Sequence, residues 1–189
     1  NVARSAPLFA AHGSGTGAYF IPPSASSLIT GEGFGTGTMA VAGDITHMRV
    51  QLTAAPGAGV TRTYTLRKNG ADTGLAVAIA DAATSGTATA TVSFVAGDEI
   101  TVGLVNTGGT PATSHAGIGL TWAPTVNGYF PLLAVAQTAF ATAGTRYIAG
   151  TGITPGNNTT ELNAVSVAPV VMTVDKMYAE ISTAPGAGK

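Results

Sequence analysis

From Met39 onward, apolar and polar residues alternate along much of the chain. In His47-Met48-Arg49-Val50-Gln51-Leu52, Met48, Val50 and Leu52 share one face and the polar residues the other. That is the period of a strand with one side buried. Thr61 to Arg67 repeats the pattern, with Tyr64 and Leu66 opposed to Thr63, Thr65 and Arg67. Lys68-Asn69-Gly70 then supplies an Asn-Gly turn, which accepts the positive φ of a tight hairpin. Leu75, Val77 and Ile79 mark the returning strand. Thr87 to Phe94 follows, with Val92 and Phe94 on one face, then a Gly97-Asp98 turn. Ile100 to Leu104 and Ile118 to Trp122 complete the series. Strands recur about every 10 to 15 residues and no segment keeps an apolar stripe of helical period. The pattern predicts an all-β fold, a jelly-roll-like antiparallel β-sandwich.

The flanks read differently. Residues 1–17 are expected to form a flexible N-terminal arm, because Gly13-Ser14-Gly15-Thr16-Gly17 is a run of small residues. Pro22-Pro23 and the alternating glycines from Gly31 to Gly37 suggest loop, or a glycine-rich edge where backbones come close. The first β-sandwich module is assigned to 18–124, with a linker near Ala123 to Asn127.

An internal repeat points to a second module over 128–189. Met48 to Gly59 reads MRVQLTAAPGAG and Met177 to Gly188 reads MYAEISTAPGAG, 129 positions later. The methionine, the inward pair and the Ala-Pro-Gly-Ala-Gly turn match, while Arg49 faces Tyr178 and Gln51 faces Glu180 in the alignment. Tyr129-Phe130 similarly echoes Tyr19-Phe20. A shared strand face plus a five-residue turn implies a duplicated unit. The second copy is incomplete at Lys189, and half a sandwich cannot bury its own sheet. The expectation is that the natural chain continues; the alternative is completion by strands of a neighbouring subunit. The absence of an initiator Met fits a processed protein or a piece of a longer one.

Composition narrows the setting. Charged residues are 9% of the 189 and net charge is −1, against about 25% charged in ordinary soluble domains. At 45% apolar the chain is too hydrophobic for disorder, and its apolar runs are too short for a membrane helix. A nearly neutral surface favours association, so copies of the chain and other subunits are the expected partners. The eight Lys and Arg are scattered, with no basic stripe to bind nucleic acid. No membrane partner is expected. Zero cysteines exclude disulfides and thiol chemistry.

Chemistry-bearing motifs are sparse. The terminal Gly188-Lys189 lacks the glycine and hydroxyl residue of a phosphate loop, and neither glycine series precedes the helix of a dinucleotide site. His12, His47 and His115 lack the spacing of metal ligands. Ser114-His115 with Asp98 or Asp81 has no nucleophile elbow. Most acidic residues sit in turns, where Asp bonds nearby backbone. Asn157 and Asn158 fit the glycosylation pattern, which matters only on a eukaryotic secretory route. Trp122 alternates with Leu120 and Ile118 and reads as core. No catalytic, cofactor-binding or metal residue is assigned, no cofactor is expected, and the protein is expected not to be an enzyme. The candidate interface residues are Tyr178, Arg49, Tyr129 and Phe130.

Tyr64-Thr-Leu-Arg-Lys-Asn-Gly-Ala-Asp-Thr-Gly-Leu75, followed by Thr91-Val-Ser-Phe-Val-Ala-Gly-Asp-Glu-Ile-Thr-Val102, resembles jelly-roll modules of tailed-phage virion proteins. Trimeric spore and fibre-tip domains of tumour-necrosis-factor type share the rhythm. The resemblance covers about Met48 to Trp122. It implies a decoration, head-fibre or tail-fibre subunit located on the virion and assembled in many copies, often trimers, with host-surface glycan a further partner. The alternative is an exported bacterial adhesin or carbohydrate-binding module. A polysaccharide depolymerase is a third, weaker reading.

Overall fold

The computed structural model describes residues 6–12, 19–21, 30–32, 36–126, 134–136, 152–154 and 177. The strands in chain order are β1 (Ala6–His12), β2 (Tyr19–Ile21), β3 (Gly37–Thr38), β4 (Gly43–Leu52), β5 (Gly57–Lys68) and β6 (Ala71–Asp81). They continue with β7 (Ser85–Phe94), β8 (Glu99–Thr107), β9 (Ala116–Pro124), β10 (Ala134–Ala136) and β11 (Gly152–Thr154).

Alternation decides which faces meet. On β5, Val60, Tyr64 and Leu66 are buried, and Tyr64 lies between Val77 of β6 and Leu104 of β8. On β9, Ala116, Ile118, Leu120 and Trp122 are buried. These faces form one core with Met48, Val50 and Leu52 of β4, Leu75, Val77 and Ile79 of β6, and Phe94 of β7. Two antiparallel layers enclose it, one ordered β1-β9-β4-β7 and the other β2-β8-β5-β6, with β3 also paired to β8. Removing this apolar surface from water is the main stabilising term, about 1.5–3 kcal/mol for each large side chain fully buried. The chain is therefore an all-β, antiparallel sandwich over these strands.

The turns follow the sequence signals. Asn69 and Gly70 join β5 to β6 with φ of 51° and 77°, the pair of positive angles that a two-residue hairpin requires. At Gly97, φ is 94°; its N–H donates to Met39 O at 2.8 Å and Met39 N–H donates to Asp98 O at 2.8 Å.

Three features depart from the sequence expectation. The arm assigned to 1–17 is not free throughout: Ala6–His12 is strand β1, paired with β9 from Ala6↔Trp122 to His12↔Ala116. The glycine-rich run begins only at Gly13, and without β1 this side of β9 would leave its backbone groups unpaired. Pro7 is compatible because β1 is an edge strand. The linker also starts later than Ala123, since β9 extends through Pro124 and Thr125 N–H donates to Ala42 O at 3.0 Å. Finally, the register of β4 shifts between Ile45 and His47. Ile45 and Met48 are both buried although three positions apart, and a bulge at Thr46 absorbs the odd residue.

In the region assigned to the second module, β10 and β11 pair in parallel. Met177 is 88% exposed, whereas its repeat counterpart Met48 is fully buried. The remainder of the repeat's second copy, 178–188, lies outside the described residues.

Candidate functional site

Sheet β1-β9-β4-β7 turns one face to the core and the other outward. On β7, the outward positions are Ser85, Thr87, Thr89, Thr91 and Ser93, all exposed, while Ala88, Ala90 and Val92 pack against the core. On β4, His47, Arg49 and Gln51 are exposed. Across β9 the facing positions are Thr121, Gly119 and Gly117. Hydroxyls and glycines thus make a low-relief surface, and the longest side chain on its central strand belongs to Arg49.

Arg49 lies between Thr87 of β7 and Gly119 of β9 in register, and it takes part in no ion pair among the described residues. His47 Nδ1 lies 2.9 Å from Thr46 Oγ1. Gln51 is tied down, its Nε2 donating to Leu52 O and Thr84 O, each at 3.1 Å. Of the four candidate interface residues, Arg49 is the one whose position is described. Tyr178, Tyr129 and Phe130 lie outside the described residues.

A second polar cluster pins the β5–β6 turn to the turn between β7 and β8. Asp98 accepts from Val95 N–H at 2.7 Å and Asn69 Nδ2 at 2.7 Å, and pairs with Lys68 Nζ at 2.8 Å. Burial pushes the Asp98 carboxyl up. The hydrogen bonds from Lys68, Val95 and Asn69, with the Lys68 charge, outweigh that push and hold it below the usual carboxylate range. Arg67 pairs with Glu32 at 2.6 Å and with Asp72, and its guanidinium lies 5.5 Å from the centroid of the Phe20 ring. The hydrogen bond to Glu32 leads the causes that raise the Arg67 pKa. The Asp98, Glu32 and Asp72 carboxylates are thereby engaged by cations within the fold.

The residues of the possible triad are not assembled. Ser114 is 1% exposed, its Oγ donating to His115 O at 3.0 Å and accepting from Ala54 N–H at 3.2 Å. Asp98 is held by Lys68, and Asp81 Oδ1 accepts from Gly59 N–H at 2.7 Å. Among the described residues no group of His, Asp and Glu could hold a metal ion, and no helix is long and apolar enough to cross a membrane.

One residue with chemical potential belongs to none of the sequence motifs. Arg62 shares the inward phase of β5 with Tyr64 and Leu66 and is completely buried. The signal was present in the alternation of Val60, Arg62, Tyr64 and Leu66, which puts a charge on an apolar face.

No protein-family model matches the chain, and no curated protein matches it.

Proposed function

We propose that the chain is a non-enzymatic structural virion protein that decorates or projects from a phage particle. Its sandwich acts as a jelly-roll module that packs on copies of itself and on other particle subunits. Support for the jelly-roll reading comes from strand order: a four-stranded and a five-stranded layer joined by a chain that changes layer at most connections, β2 to β3 and β5 to β6 staying within one layer. The observation that carries the functional reading is the outward face of β4, β7 and β9. A broad surface of Thr, Ser and Gly, with His47, Arg49 and Gln51 along β4, has little relief to exclude a second flat surface. It also needs little desolvation of charge when covered. Assembly as a trimer through this face leaves the loops free for other subunits or for host-surface glycan.

Size-exclusion chromatography with light scattering tests this reading. The expected result is a wild-type mass of three chains, and a Thr89→Arg variant that keeps its β-sheet circular dichroism but elutes as a single chain. A wild-type monomer that binds glycans on an array sinks the proposal in favour of an adhesin or carbohydrate-binding module. A Thr89→Arg variant that stays trimeric removes this face from the assembly.

A further inference from the structure

A charge inside the core requires a counterpart, because an uncompensated buried ion costs several kcal/mol. Arg62 is 0% exposed. Its Nη2 donates to Ala112 O at 2.7 Å, while Nε and Nη1 are buried with no hydrogen-bond partner among the described residues. The described ion pairs involve Arg67 and Lys68 and do not reach Arg62. Those cations lie five and six residues further along β5, roughly 17–20 Å away at about 3.3 Å per residue. The nearest acid in the strand register, Asp81, is exposed and accepts from Gly59 N–H.

The groups around the guanidinium bring no negative charge. Asn106 of β8 is its direct cross-strand partner and brings an amide. Tyr64, two residues along the same inward face, is coupled to Arg62 electrostatically and by hydrogen bonding. Burial, the largest influence, pushes the Tyr64 phenol up to about 12, against the lowering effect of Arg62. The phenol is therefore neutral at physiological pH and does not balance the charge. Above the cluster, Ala112 belongs to the segment joining β8 to β9 and is held by its N–H donating to Pro56 O at 2.8 Å.

From this arrangement we infer that the Arg62 end of the sandwich core is an internal binding site for one small monovalent anion of chloride size, held by guanidinium N–H groups beneath the 108–115 segment. One positive charge sets the valence. Complete burial sets the size, since a large organic anion cannot reach Arg62 without displacing the covering segment. Binding there is linked to folding: the site exists only when β5, β8 and the covering segment are in place, so the anion stabilises the native state.

Thermal unfolding of the full chain tests the inference, with chloride replaced by gluconate at constant ionic strength. Above the dissociation constant, each tenfold rise in chloride is expected to raise the wild-type Tm by about 3–5 °C. An Arg62→Met variant is expected to show no such dependence. Should that variant fail to fold, a crystal of the wild-type protein grown in bromide decides, with an anomalous peak expected within hydrogen-bond distance of Arg62 Nε or Nη1. Equal chloride dependence in wild type and Arg62→Met overturns the site. So does a bromide crystal with only water, or a carboxylate from the chain itself, at that position.

Discussion

Gly43 lies directly against the Trp122 indole: a Cβ at position 43 would be 2.4 Å from Trp122 Cζ2 and 2.6 Å from Ala123 O. The ring is fully buried, so neither it nor the backbone of β9 has room to withdraw. Gly43→Ala is expected to destabilise the fold by about 1–3 kcal/mol, the range for overpacking a close-packed core. Trp122 is the only tryptophan, so urea unfolding followed by its fluorescence reports the shift directly. Gly117→Ala is the control. Nothing lies within 4 Å of a Cβ there, and a change within about 0.5 kcal/mol is expected. Equal loss in both variants would refute the contact explanation.

Asp98 joins the β7–β8 turn to the β5–β6 turn through Lys68 and Asn69. Its carboxyl titrates below the usual range in the folded state. The folded protein therefore favours the ionised form, and the resulting stability is present above the unfolded pKa of about 3.9. Asp98→Asn is expected to cost about 1–3 kcal/mol at pH 7. The gap between wild type and variant should narrow as pH falls from about 4 through the lower folded pKa. Urea midpoints at pH 7, 4 and 3 measure this. A gap independent of pH would show that charge on Asp98 contributes nothing.

Asn69 has two roles that different substitutions separate. Its φ of 51° is left-handed, and its side chain donates to Asp98 Oδ1 and accepts from Glu99 N–H, both at 2.7 Å. Asn69→Gly keeps the backbone conformation and removes the two bonds, with an expected cost of about 1–2 kcal/mol. Asn69→Ala loses the bonds and also meets the left-handed penalty, an added cost of about 1 kcal/mol. Thermal unfolding should rank wild type above Asn69→Gly above Asn69→Ala. If glycine is the less stable of the two, backbone strain is not the larger burden at this turn.

Strand identity was legible where one face is apolar and the other polar. His47 to Leu52, Thr61 to Arg67 and Leu75 to Ile79 needed only their period of two. The Asn69-Gly70 turn announced itself because few other pairs accept two positive φ angles. Ala6–His12 was not legible as a strand: Ala-Pro-Leu-Phe-Ala-Ala carries no alternation, and its pairing depends on an edge of β9 far away in sequence. The bulge at Thr46 was equally hidden, since a register shift is set by two neighbouring strands together. Of the site, Arg49 could be placed outward from its phase alone. The small-residue character of the surrounding face emerges only when β4, β7 and β9 are set side by side. Arg62 was legible in its phase, but that no acid among the described residues pairs with it emerges only in the folded arrangement.

The buried Tyr64 makes a prediction at the alkaline end. Burial is the dominant influence on its phenol and raises its pKa from 10.0 to about 12, even though the neighbouring Arg62 charge acts in the opposite sense. A group that holds its proton more tightly when folded contributes stability that is fully present below the unfolded pKa, near 10, and is lost as pH rises towards 12. In a titration of tyrosinate absorbance, Tyr64→Phe should lose a late step near pH 12 and leave the earlier steps unchanged. Its stability should fall less steeply than that of wild type between pH 10 and 12, because it has no phenol to ionise in the core. A Tyr64→Phe variant that instead loses a step at pH 10, with the late step intact, would mean that water reaches the phenol and that this end of the core is open.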